Sequence, residues 1–205
     1  MKVIDPTEWN RKEHFEYFSG LDHPYWSMVT EMDCSRTYSE SKTLNRSFFL
    51  GYLHKALLAA DMVEEMRLRQ VDGQLVCYDH LHASATILRE DKTFGCCFIE
   101  YRSDFEEFAQ SAILQIEKVR ARTGMCLEQD CQLDQIHFST IPWRHFSGLT
   151  YAHATKPQDT VPKITFGAIS SDSGQVTFPV AIQVHHGLVD GWHLARYLEE
   201  FQKNL

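Results

Sequence analysis

At 205 residues, the chain fits one domain around one apolar core, which can grow to about 250 to 300 residues before dividing. With 43% hydrophobic, 12% aromatic and 23% charged residues, it lies far from disordered or collagen-like compositions. Twenty Lys plus Arg against 28 Asp plus Glu give a net charge of -8, and with no basic run the electrostatic handle on nucleic acid is missing. The opening MKVIDPTEW has no apolar stretch behind its charge, and charged or polar residues interrupt every window of about 18 residues, so neither export nor a membrane span is expected. The cysteines, Cys34, Cys77, Cys96, Cys97, Cys126 and Cys131, read mostly as buried, reduced small hydrophobes, which suggests the cytoplasm. Cys126 and Cys131 have no second pair at matching spacing, so a zinc ribbon is not expected.

In chain order, Trp9, His14, Phe15 and Phe18 have helical spacing over 9–18, with Thr7 as cap. Imperfect alternation over 25–34 predicts a half-buried strand, and Phe49, Leu53, Ala56, Leu57 and Ala60 predict a long helix over 44–60. Asp72-Gly73, between MRLRQV and QLVCYD, predicts a tight hairpin. Strands at 84–89 and 94–101 precede a helix capped by Asp104 and running to about Arg122. Residues 124–134 read as loop. Strands follow at 135–140 and 162–169, then a turn at Ser171 to Gly174, the longest strand at 175–186 and a final helix from Gly191 to about Lys203. Without strict βα alternation, the expected architecture is α/β in the α+β sense, a two-layer sandwich with a mixed sheet and helices packed against it.

The chemistry concentrates in FPVAIQVHHGLVDGWHLARYLEEF, residues 178–201. Strand alternation puts Phe178, Val180, Ile182, Val184 and His186 on one face, and Pro179, Ala181, Gln183 and His185 on the other. His186 would end an apolar row, where desolvation disfavours the imidazolium and leaves the neutral ring a general base needs. Asp190 either caps the last helix or is a buried carboxylate needing a cation; the sequence leaves both open. No G-x-S-x-G elbow, P-loop or G-x-G-x-x-G is present, so an imidazole acting directly on a bound hydroxyl or thiol is the economical chemistry. A metal site on His185, His186, Asp190 and His193, or on His80 and His82, is the weaker competitor.

HHGLVDG at 185–191 matches the HHxxxDG signature of coenzyme A-dependent acyltransferases, and its surroundings resemble the C-terminal segment of type A chloramphenicol acetyltransferases. WNRKEHFEYF at 9–18 is similar to that family's W-x-R-[KR]-E-H-F-E segment, Ser47-Phe48-Phe49 to its S-F-Y, and Ile141-Pro142-Trp143 with Phe146 to its P-W-x-x-F. The resemblance implies one acyltransferase domain over 1–205 and a homotrimer with active sites between subunits. It also implies acetyl-CoA as co-substrate, transfer to a hydroxyl of chloramphenicol in a ternary complex, and no metal. By the same resemblance His186 is the base, Arg11 pairs with Asp190 to hold its loop, and His185 packs or hydrogen-bonds away from it. Tyr17, Trp26, Phe94, Phe146 and Thr165 are implied to contact the acceptor. The family serine that supports the oxyanion is expected two residues after Phe146, where Gly148 stands next to Ser147, and Asp22 stands near the place of an apolar acceptor contact in typical members. A related acyltransferase with another hydroxyl or thiol acceptor, or a non-catalytic trimeric binder, is the alternative.

Overall fold

The computed structural model describes residues 1–127, 129, 132–152, 159–172 and 174–205. In chain order these form β1 (Lys2–Val3), α1 (Lys12–Ser19), β2 (Tyr25–Asp33), α2 (Ser35–Thr43), α3 (Phe48–Asp61), β3 (Leu68–Val71), β4 (Gln74–Cys77), β5 (His82–Leu88), β6 (Phe94–Ile99), α4 (Phe105–Ala121), β7 (Gln135–Thr140), β8 (Lys163–Phe166), β9 (Ser170–Asp172), β10 (Gln175–His185) and α5 (Gly191–Asn204). Among the described residues no helix is long and apolar enough to cross a membrane.

Local chemistry explains where elements begin. Asp104 accepts from the Glu107 N–H at 2.9 Å and starts α4 as expected. The helix expected from residue 44 instead begins at Phe48, where Ser47 accepts from the Leu50 N–H, because Asn45 at φ 51° breaks the chain after an additional helix, α2. Thr7 does not cap α1; the Asp5 carboxylate takes both its amide and its hydroxyl in a local turn, and the helix starts at Lys12. Asp72 at φ 48° and Gly73 at φ 79° make the expected tight turn, although a 3₁₀ turn at Glu64–Arg67 shortens the first strand of that hairpin.

The hairpin belongs to a small sheet, β1-β4-β3, apart from the main mixed sheet of order β2-β10-β8-β7-β5-β6, with β9 beside β10. In the main sheet β10 runs antiparallel to β2 and β8, while β7 is parallel to both β5 and β8. Phe178, Val180, Ile182 and Val184 of β10 join Phe138 and Phe166 in the buried core, with Tyr52 of α3 and Phe201 of α5 against Phe166. Helices therefore cover one face.

Most of the described cysteines are the buried thiols expected, and two are not. Cys34, Cys77 and Cys97 are buried thiols outside any disulfide, but Cys96 and Cys126 are joined as a disulfide. Folding brings the partner across 30 residues of sequence, a pairing that spacing alone does not show. Cys131, the other half of the considered zinc pair, lies outside the described residues.

Candidate active site

The strand β10 ends in a sharp exit. The His186 N–H donates to Pro24 O at 2.7 Å, and the Leu188 and Val189 N–H groups both donate to His185 O at 3.0 Å. Gly187 is required there, since a Cβ would stand 2.9 Å from the Phe15 Cα of α1. Because the strand stops at His185, His186 does not continue the apolar row as alternation predicted. Its half-buried ring instead stacks on Phe18, with centroids 4.1 Å apart and planes at 15°, and tilts against Trp26 at 5.5 Å. Trp26 is itself fixed by donating Nε1–H to Val189 O at 2.9 Å. The His186 Nδ1 is buried and makes no hydrogen bond among the described residues.

The deep burial expected at 186 falls on 185. His185 is 3% exposed, lies between the Phe15 and Tyr25 rings, and accepts from the Gly187 N–H through Nδ1 at 3.2 Å. Burial pushes its imidazole down to about 4, so the ring is neutral around pH 7. The packing and hydrogen-bonding duty expected of His185 is what it performs.

Both roles left open for Asp190 are filled, one by each oxygen. Oδ1 accepts from the Trp192 and His193 N–H groups at 3.0 and 3.4 Å, capping α5, while Oδ2 takes Arg11 Nη1 at 2.6 Å. Burial opposes the Asp190 charge, but Arg11 and His193 outweigh it and hold the carboxyl below its usual range. The Arg11 side chain is only 10% exposed, so the pair tying α1 to the 186–190 turn is largely shielded from water.

The other face of the sheet is built differently. Cross-strand register aligns Ser84, His137, Lys163, Gln183 and Ser27 in one row, and Ser139 with Thr165 in the next, with Thr86 donating to the Ser139 hydroxyl at 3.3 Å. Lys163 Nζ lies 2.6 Å from Asp159 Oδ2; burial opposes the Asp159 charge, yet this lysine keeps its carboxyl below the usual range. Tyr151 spans the face and donates to Ala181 O at 2.8 Å, and burial pushes its phenol up to about 12. A cavity of about 780 Å³ opens here, lined in part by Phe94, His137, Ser139, Tyr151 and Lys163. A neighbouring one of about 360 Å³ adds Thr150 and Thr165.

Within one chain the expected acceptor contacts do not form one wall. Tyr17 is 68% exposed and packs on Phe18, Trp26 adjoins His186, and Phe146 lies near Gly167. Phe94, 49% exposed, and buried Thr165 line the hydroxyl-rich cavities. Ser147, Gly148 and Asp22 are exposed, and none of them lines either cavity. His80 Nδ1 lies 2.6 Å from Asp61, whereas His82 Nδ1 accepts from the Tyr101 N–H at 3.0 Å, so the two serve separate contacts. Sequence reasoning missed Ser139 and Tyr151. The parity of β7, with Ile136 and Phe138 facing the core, was the available signal for Ser139; Tyr151 carried none.

The family profile for chloramphenicol acetyltransferase matches residues 1–202. The chain is similar to chloramphenicol acetyltransferases of Bacillus pumilus, 28% identical over 199 residues with 97% of this chain and 90% of the relative covered, and of Clostridioides difficile, 29% over 203 residues with 98% and 93% covered. A solved chloramphenicol acetyltransferase structure superposes with a TM-score of 0.91 at 27% identity, covering 100% of this chain and 99% of that one. The truncated catalytic core of the 2-oxoacid dehydrogenase multienzyme complex from Thermoplasma acidophilum shares the fold at a TM-score of 0.68 and 12% identity, covering 99% of this chain and 97% of that one. The chain belongs to the chloramphenicol acetyltransferase family and is an acyltransferase.

Proposed function

We propose that this acyltransferase moves an acetyl group from acetyl-CoA to a hydroxyl of chloramphenicol, with His186 as general base, inside a cytoplasmic homotrimer. The observation that carries the reading is the setting of His186. Its ring neighbours are Phe18 and Trp26, and its buried Nδ1 has no hydrogen-bond partner among the described residues, which supports a base that acts on a bound acceptor through its other nitrogen. Nε2 is left to take a proton from a bound acceptor. The freed oxygen attacks the thioester carbonyl; the tetrahedral oxyanion collapses, the C–S bond breaks, and the proton passes from His186 to the departing thiolate. Arg11 and Asp190 position the base by fixing its loop.

The hydroxyl-lined cavities with Phe94 and Thr165 form the acceptor side of this reading. The residues lining them do not include His186, which supports a site completed when a second copy brings its own histidine to the cavity. Ser139, rather than the exposed Ser147 and Gly148 region, then supplies the oxyanion hydrogen bond, because its hydroxyl stands on the cavity wall beside Thr165. Tyr17, Trp26 and Phe146 contact the acceptor only insofar as the assembly brings them to that cavity.

Loss of thioester absorbance from acetyl-CoA, followed with and without chloramphenicol, tests the proposal. The native protein should turn over only with acceptor, and His186→Ala should lower kcat by about 10³ to 10⁴-fold. An unchanged rate in the variant removes the base assignment, and turnover with a different hydroxylated acceptor alone reassigns the substrate.

A further inference from the structure

Cys96 and Cys126 have no part in the chemistry above, yet their setting is elaborate. Cys96 lies on β6, at one edge of the main sheet, and the segment 122–127 runs along it. The Cys96 N–H donates to Met125 O at 2.7 Å, and Arg122 Nη2 donates to Cys96 O at 2.7 Å. Arg89 fastens the same region, donating from Nε to Val119 O at 3.0 Å, from Nη1 to Phe94 O at 3.0 Å and from Nη2 to Gly124 O. Hydrogen bonds independent of the sulfurs thus hold the two cysteines together, with Cα atoms 5.0 Å apart, inside the span a disulfide bridges.

Three further observations point to a reactive pair. Cys96 and Cys126 are half-buried, whereas Cys34, Cys77 and Cys97 are buried. A chain with so extensive an apolar core has no need of a covalent staple. Both cysteines also line the 780 Å³ cavity, together with Phe94, Met125 and Ser139. We infer that Cys96 and Cys126 are a reversible thiol–disulfide modification site for low-molecular-weight disulfides, and that its redox state sets the rim of the acceptor cavity. The second half rests on the acceptor reading above; the first does not.

In the oxidising direction a thiolate of the pair attacks one sulfur of the small disulfide, forming a mixed disulfide and releasing one small thiol. The second cysteine attacks the protein sulfur of that mixed disulfide and expels the second thiol. Two electrons leave the protein pair, and the two cysteine protons end on the released thiols. Oxidised, Cys126 and its neighbour Met125 are pinned to β6; reduced, only the hydrogen bonds above hold that wall, and two S–H groups face the cavity.

Oxidised glutathione is the probe. Protein freed of reductant is incubated with it, blocked with iodoacetamide and digested. A cross-linked peptide joining Cys96 to Cys126, reversed by dithiothreitol, is expected, with Cys34, Cys77 and Cys97 alkylated only after denaturation. Full alkylation of both cysteines, or a Cys126–Cys131 link, overturns the site. Calorimetric titration with chloramphenicol then reads the coupling: Kd should differ about fivefold or more between oxidised and reduced native protein, and Cys126→Ser should give one Kd under both treatments. Equal Kd values for the two native forms overturn the coupling. Absence of binding in both overturns the acceptor reading and the coupling with it, while the cross-link still decides the site. Turnover in the presence of the pair is best followed at the thioester, since thiol-detecting disulfides would themselves enter the exchange.

Discussion

The two faces of the main sheet divide the work of the molecule. On the helix side Phe138, Phe166 and Phe178 pack into an apolar core with no polar partner to satisfy, and their contribution is stability. On the other side Ser139, Thr165, His137 and Lys163 stand in cross-strand register, and each hydroxyl or charge there needs a partner or a ligand. The base-bearing turn joins the two: it leaves β10 at the end of an apolar row and is held by an ion pair to α1. Fold energy comes from one side of the strands and chemistry from the other, because alternation lets a single strand serve both.

Removing His186 is the sharpest way to break this division, since its loss of about 10³ to 10⁴-fold in kcat should come with only a small drop in melting temperature from the lost ring stacking. Phe166→Ala, one strand away on the covered face, should do the reverse, costing about 3 to 5 kcal/mol by chemical denaturation while surviving folded protein keeps its KM values. Ser139→Ala should lower kcat by about 10² to 10³-fold with little change in unfolding midpoint, and Ser147→Ala should be nearly silent; the opposite order would return the oxyanion role to the exposed segment. Asp190→Asn or Arg11→Ala blurs the division, and both stability and activity should fall. Breaking a buried pair costs about 3 to 5 kcal/mol, and the 31% exposure of the Asp190 side chain reduces this to roughly 2 kcal/mol, readable as a drop in melting temperature. A loss of activity without that drop would make the pair part of the chemistry rather than its support.

Acid adds a graded effect on stability. His185 binds its proton less readily folded, at about 4, than unfolded, at about 6.5, so the unfolded chain carries more protons between those values. Stability should therefore be complete above about pH 6.5 and fall as pH drops through 4, by at most about 3 kcal/mol once the folded ring is protonated as well. His185→Gln should flatten that slope in melting curves taken across the same pH range.

Much of the fold was legible because local chemistry set it. The Asp104 cap, the Asp72-Gly73 turn and the alternation of Phe178, Val180, Ile182 and Val184 each depend on residues a few positions apart, and each stands in the structure as read. Periodicity failed where a backbone break intervened, as at Asn45, which moves the start of the helix expected from residue 44 to Phe48. It failed again at His186, where the turn closed by the Leu188 and Val189 N–H groups on His185 O ends the strand one residue early and leaves the burial with His185.

The sequence by itself determined the motif, the histidine pair, the Asp104 cap and the mixed order of helices and strands, because side-chain type and short-range backbone preference suffice for these. Only the tertiary structure decided that Asp190 serves Arg11 and a helix end at once, that Ser139 stands beside Thr165, and that Cys96 meets Cys126. Each of those depends on cross-strand register or on packing between distant segments, and contacts of that range are fixed by the closure of the whole core.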